Sequence, residues 1–140
     1  MGIALIPFGR FVGDTGKVEM VSDTPAGKRY IVGVRACRFV GDRFNATQRG
    51  DSGADWMLLT PDSTAHIDVR LTVRTDDGAF VYVSYRGRAD WSDGPDHATA
   101  FCLFTFETGA PGYGWLNAAV VVGRGTPGRD GPDYELYELR

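Results

Sequence analysis

From Ala65 to Arg86 the chain alternates apolar and polar side chains on either side of a short turn. A pair of β-strands is the regular structure with that period. Ile67, Val69, Leu71 and Val73 share one face of the first run, and His66, Asp68, Arg70, Thr72 and Arg74 share the other. The turn decides the register. A two-residue loop at Asp77-Gly78 would set Val81, Val83 and Tyr85 against the charged face. A three-residue loop with Gly78 in the left-handed conformation instead pairs Val73 with Val81 and Leu71 with Val83. Only the second register keeps one face wholly apolar, and it is the one we expect. The polar face then stacks Arg74 by Phe80, Thr72 by Tyr82, Arg70 by Ser84 and Asp68 by Arg86. Such a face either lines a ligand cavity or is a solvated surface with cross-strand ion pairs.

The rest of the chain repeats this grammar. Nineteen Gly and seven Pro fall in no G-X-Y repeat but punctuate short apolar runs, which is a β-rich pattern. Candidate strands are Ile3–Phe8, Lys17–Val21, Lys28–Phe39, Arg43–Gln48, Asp55–Thr60, Ala65–Arg74, Ala79–Arg86, Thr99–Glu107, Leu116–Gly123 and Tyr134–Leu139. Turn signals between them include Pro61-Asp62, Asp93-Gly94-Pro95-Asp96, Ala110-Pro111-Gly112 and Pro127 to Pro132. No stretch holds a 3.6-residue period long enough for a helix. At 140 residues the chain reads as one all-β domain, 1–140, an antiparallel barrel or sandwich. Thr99–Glu107 is apolar on both faces and belongs in the middle of it.

Charge and motifs remove several functions. The formal net charge is −3, against the cationic footprint that nucleic-acid binding needs. Arg35, Arg38, Arg43 and Arg49 do interleave with Phe39 and Phe44, but Asp42 and Asp51 dilute them. His66 and His97 have no neighbours at ligand spacing, so no metal is expected. Gly9 to Gly16 precedes no helix, and no phosphate cradle or cofactor motif is expected. No membrane partner and a cytoplasmic location are expected, since no apolar run approaches a membrane span and the N-terminus lacks a leader pattern. Cys37 and Cys102 read as free thiols, Cys102 as a small buried hydrophobe.

Chemistry would then rest on positioned carboxylates, Arg, Tyr and hydrogen bonds. Asp55 stands out in Gly53-Ala54-Asp55-Trp56. A carboxylate against an aromatic wall has its pKa pushed up, which suits a general acid or base at neutral pH. The other reading is a turn residue accepting backbone hydrogen bonds.

Gly53-Ala54-Asp55-Trp56, Asp68-Val69-Arg70, Arg74-Thr75-Asp76-Asp77-Gly78-Ala79, Phe106-Glu107-Thr108-Gly109 and Tyr113-Gly114-Trp115-Leu116-Asn117 occur in that order. The chain thereby resembles the DUF3237 family, also called UPF0311, from about Gly27 to Leu139. The resemblance implies a compact antiparallel β-barrel, similar to calycins, with a cavity for a small organic ligand. It further implies a cofactor-independent cyclase or isomerase of a natural-product, polyketide-like pathway, closing oxygen heterocycles by adding a hydroxyl to an alkene. The boxed polar residues carried over are Asp55, Asp68, Arg70, Asp76, Asp77 and Asn117, with Trp56 and Trp115 as aromatic partners.

On that expectation the catalytic residues are Asp55, moving a proton, and Arg70, stabilising an enolate or phenolate oxygen. Trp56, Tyr82 and Trp115 would hold a small hydrophobic substrate and Asn117 would orient it. Alternatives are a barrel that only binds a small molecule, and a structural protein whose polar hairpin face is solvated. A homodimer is expected by fold analogy, to cover an apolar hairpin face beside a polar lumen.

Overall fold

The computed structural model describes residues 1–126 and 130–140. Among the described residues it contains eight strands: β1 (Leu5–Thr24), β2 (Gly27–Val40), β3 (Ala46–Leu59), β4 (Thr64–Thr75), β5 (Phe80–Asp90), β6 (Ala100–Glu107), β7 (Val121–Thr126) and β8 (Asp133–Leu139). Short 3-10 turns lie at Pro95–His97 and Pro111–Ala118. Each strand runs antiparallel to the next, and β8 returns to pair with β1, which closes the sheet. The turn expected over Pro127 to Pro132 falls partly on residues 127–129, outside the described residues.

Ten expected strands become eight because glycines that read as turns are absorbed as bulges. Ile3–Phe8 and Lys17–Val21 merge into β1, whose register with β2 shifts between Val12 and Asp14 and between Thr15 and Val18. Arg43–Gln48 and Asp55–Thr60 merge into β3, with a shift between Arg49 and Ala54. A bulge lets a strand bend and twist without ending it. Leu116–Gly123 is the opposite case. Its first part is 3-10 helix that drives Leu116 into full burial, and the strand starts only at Val121.

The β4–β5 register is the one the apolar face demands. Leu71 faces Val83, Thr72 faces Tyr82 and Val73 faces Val81. Thr75 N donates to Ala79 O at 2.8 Å, which closes a three-residue loop, and Gly78 has φ +100°.

That register stacks the interior in layers. One row runs Leu71, Val83, Phe106, and the next Asp55, Val69, Tyr85, Phe104, Val121. Beyond it come Ile67, Gly87, Cys102, Gly123, and then Ala65, Ala89, Ala100, Gly125. Side chains shrink toward the end that carries the β5–β6 connection. At Gly87 a Cβ would lie 2.2 Å from Phe101 O, so that row has no space for a larger residue. The other end is filled by rings: Phe39 lies 4.5 Å from Phe11 and 5.1 Å from Phe44, and Phe106 lies 5.6 Å from Phe44. Leu116 plugs it.

The expected compact, calycin-like antiparallel β-barrel, with Arg70 and Tyr82 of the polar hairpin face at a small-molecule cavity, is therefore corrected. The fold is an all-β, eight-stranded antiparallel sheet whose interior is occupied by side chains. The apolar hairpin face points inward, with Val73, Val81 and Val83 fully buried. The polar face points outward, where Phe80 is 57% and Tyr82 40% exposed. An inward apolar face needs no second copy to cover it, which removes the premise of the expected homodimer. No helix among the described residues is long and apolar enough to cross a membrane.

Gly78→Val should destabilise the fold by about 1–2 kcal/mol, because a β-branched residue resists positive φ. A Cβ there would meet nothing closer than Arg74 Nη2 at 3.4 Å, so the loss isolates the backbone cost. Thermal melting checks it, and an unchanged midpoint would show that the turn does not require the left-handed residue.

Candidate functional site

The small-residue end is where the interior opens. The connection leaving β5 folds over it, with Ala98 buried and Trp91 packed against the core. Between this connection and the β1–β3 wall lies a cleft of about 440 Å³, lined by Thr15, Val18, Tyr30, Val32, Asp55, Met57, Trp91, Pro95, Asp96 and Thr126. Its walls are mainly apolar and aromatic. The Tyr30 and Trp91 rings lie tilted at 59° with centroids 6.4 Å apart.

Asp55 supplies the carboxyl of this cleft. It sits inward on β3 opposite Val32 and Val69 and is 7% exposed. Its Oδ1 accepts one hydrogen bond, from Asp68 N at 3.0 Å. Burial is the main cause that pushes its pKa from the ordinary 3.8 up to about 6. The Asp68 N–H opposes that rise and the Asp68 charge adds to it. Desolvation disfavours the carboxylate, so a proton is held until near neutrality.

Other buried polar groups lie nearby. Cys102 Sγ donates to Tyr134 Oη at 3.6 Å, and the Tyr134 ring meets Tyr85 at 5.8 Å. Burial raises both tyrosines well above their usual range, and the Asp55 charge adds to each. Cys102 and Cys37 are free and buried, and burial pushes each thiol up to about 12. They are neutral small hydrophobes at physiological pH.

The remaining expected site residues are not brought to Asp55. Successive residues on a strand point to opposite sides, so Trp56 turns outward where Asp55 turns in. There Arg70 lies over the Trp56 ring at 4.2 Å, and Arg29 Nη1 donates to Trp56 O at 2.9 Å. Tyr82 is on the same outer surface. Trp115 belongs to the opposite, plugged end, with Arg43 over its ring at 4.6 Å and Phe8 at 6.3 Å. Asn117 ties that plug down: its Oδ1 accepts from Thr108 N at 2.8 Å and its Nδ2 donates to Thr108 O at 3.0 Å. Asp77 Oδ1 accepts from Thr75 Oγ1 at 2.6 Å and from Tyr113 Oη at 2.8 Å, and Asp76 pairs with Arg38 at 3.1 Å. Asp68 makes an outer ion pair with Arg86 at 3.4 Å.

Sequence reasoning missed Tyr30, Val32, Met57 and Trp91. Alternation in β2 and β3 could have found the first three, once Asp55 was taken as inward. Trp91 stands in a connection, where no period applies.

Residues 3–139 match the family described as protein of unknown function (DUF3237). The chain belongs to this family. A UPF0311 protein from Clostridium acetobutylicum is 26% identical over 112 residues, covering 71% of this chain and 70% of that protein. A crystal structure of a β-barrel-like protein from Acinetobacter baumannii AYE superposes with a TM-score of 0.88 at 28% identity, covering 100% of this chain and 98% of that one. An enzyme from Penicillium herquei shares the fold at a TM-score of 0.76 and 18% identity, covering 99% and 94%.

The burial of Asp55 in this DUF3237 chain has a pH signature. A raised carboxyl pKa means that the native state binds the proton more tightly than the unfolded chain between pH 4 and 6. Stability attributable to Asp55 is therefore greatest below about pH 4, falls as pH rises through that window and is level above it. The rise from 3.8 to about 6 corresponds to at most about 3 kcal/mol. Urea unfolding of wild type and Asp55→Asn at pH 4 and pH 7.5 should show wild type losing stability relative to the variant. A difference that does not change with pH would place Asp55 in a solvated setting.

Proposed function

We propose that this protein is a cofactor-independent enzyme of the cyclase or isomerase class, moving protons on a small, largely apolar organic molecule held in the cleft. The observation that supports this reading is the Asp55 carboxyl, buried at an apolar and aromatic cleft and carrying a pKa near 6. Such a group is divided between its acid and base forms close to physiological pH, the condition for efficient proton transfer in either direction. The likeness in fold to an enzyme from Penicillium herquei supports the same direction.

Ring closure by adding a hydroxyl across an alkene fits a single carboxyl. One C–O bond and one C–H bond form, while one O–H bond and one π bond are lost, so reactant and product are isomers. Protonated Asp55 gives its proton to the alkene carbon, and the carboxylate then takes the proton of the attacking hydroxyl. The cleft contributes by folding a flexible substrate so that hydroxyl and alkene meet, which turns an unfavourable encounter into an intramolecular one. Arg70 takes no part in this scheme, because its guanidinium is committed to Trp56 on the outer face.

The test is conversion of an o-alkenylphenol to its cyclic ether by wild type, Asp55→Asn and Arg70→Lys. Asp55→Asn should keep the fold by circular dichroism and slow the chemical step about 10²–10⁴-fold, and Arg70→Lys should turn over like wild type. With protonated Asp55 as the initiating acid, kcat/KM should fall as pH rises above about 6. Full activity in Asp55→Asn would remove Asp55 from the mechanism. Binding without turnover in all three proteins would favour a small-molecule carrier.

A further inference from the structure

Strand β1 outruns its neighbour. It has 20 residues against the 7 of β8, and the two pair only from Leu5 to Val12. Gly13 N still donates to Pro132 O at 3.1 Å. From Asp14 to Thr24, β1 pairs with β2 on one side, and among the described residues no strand lies on the other. In an antiparallel pair alternate residues direct their N–H and C=O away from the partner strand. Such an edge is a template for a further strand. Nor does burial shield it: Val18 is 49%, Met20 57% and Val21 51% exposed.

An isolated Lys on an edge discourages pairing. Here Lys17 is followed on the same face by Glu19, and Lys17 Nζ lies 2.9 Å from Glu19 Oε1. A positive and a negative charge two residues apart form a pattern that complements itself when one strand is reversed. Pairing that keeps like faces together can shift only in steps of two. Centred on Val18, Lys17 meets Glu19 twice. Centred one residue to either side, Lys17 meets Lys17 or Glu19 meets Glu19. Centred on Met20, Lys17 would need Asp23, which has φ +59° and stands where the register with β2 shifts.

We propose that this edge pairs with a second copy of the chain, antiparallel about a twofold axis at Val18, so that Lys17 meets the partner's Glu19. This contact uses a different surface from the β4–β5 hairpin face and is independent of any chemistry by Asp55. A twofold interface presents one patch to itself, which is the commonest form of protein assembly. It also bears on the cleft. Thr15 and Val18 line it, and Val18 and Met20 lie across from Val32 and Tyr30 of the same wall. The partner's Val18 falls on that face, so the apolar wall continues from one copy into the next. Few residues take part on each side compared with a standard interface, which gives a dimer of micromolar strength.

Sedimentation velocity from low micromolar to near-millimolar protein should show wild type passing from monomer to dimer. Glu19→Lys, which sets Lys against Lys17 twice, should weaken the dimer about tenfold or more. The exchange Lys17→Glu with Glu19→Lys should restore it. All three proteins should give the same circular dichroism, since both side chains are exposed. Val18→Cys should join two chains through a short bismaleimide, and Phe101→Cys, on the outer apolar surface, should not. The native Cys37 and Cys102 are buried and stay unlabelled. Wild type monomeric throughout, a dimer undiminished in Glu19→Lys or unrestored by the exchange, or cross-linking at Phe101→Cys in place of Val18→Cys would overturn the proposal.

Discussion

Leu71 lies across from Val83, and every inward row of the sheet follows from that pairing. Side chains alternate with period two, so a slip of one residue would exchange the valines of β4 and β5 for Arg70, Thr72 and Tyr82. Closure carries the constraint further. With β8 paired to β1 over Leu5–Val12, the register of each strand pair is tied to the next around the sheet. The three-residue turn at Gly78 is thus part of what places Asp55 in the same row as Val69 and Tyr85. Position of the carboxyl and identity of the core are one decision.

That decision puts an ionisable group where a hydrophobe would be more stable. The cost of burying Asp55 is met partly by one N–H, that of Asp68, and partly by retaining the proton. A better-solvated or ion-paired carboxylate would stabilise the fold at neutral pH and would hold no proton to give. The aromatic packing toward the plugged end, with Phe39 against Phe44 and Phe106, and Phe44 against Phe106, supplies stability away from the cleft. The sheet thereby combines a tightly packed aromatic end with a buried carboxyl that departs from local stability rules.

The β4–β5 hairpin was legible because alternation and turn chemistry agreed, and the family because five short boxes fall in order. The site was less so. Reading Asp55 beside Trp56 as one microenvironment ignored the alternation that separates them across the sheet. Arg70 and Tyr82 looked like lining because a face carrying aromatics, hydroxyls and charges suits a cavity and a solvated surface alike. Which side of a sheet is the inside becomes visible only when closure and the opposing rows are known. Trp115 and Asn117 failed for a related reason: a motif shows that a position matters locally, and here it anchors a 3-10 plug to Thr108. Glycines misled the strand count, since a bulge and a turn have the same composition.

The boxes that reveal the family are mostly devices of the fold. Asp77 holds the turn and Tyr113, Asp76 holds Arg38, and Asn117 holds Thr108. Only the box around Asp55 places a side chain in the cleft. The other groups that shape it, Val18, Tyr30, Val32 and the connection bearing Trp91 and Pro95, lie outside every box. Two chains could share all five boxes, and the buried carboxyl with them, yet present different walls to a ligand. On the proposed reading the boxes carry the buried carboxyl and the scaffold, and the β1–β2 wall and the β5–β6 connection would set which ligand fits. Exchanging those two segments between relatives is the change that would move specificity while leaving the layered core intact.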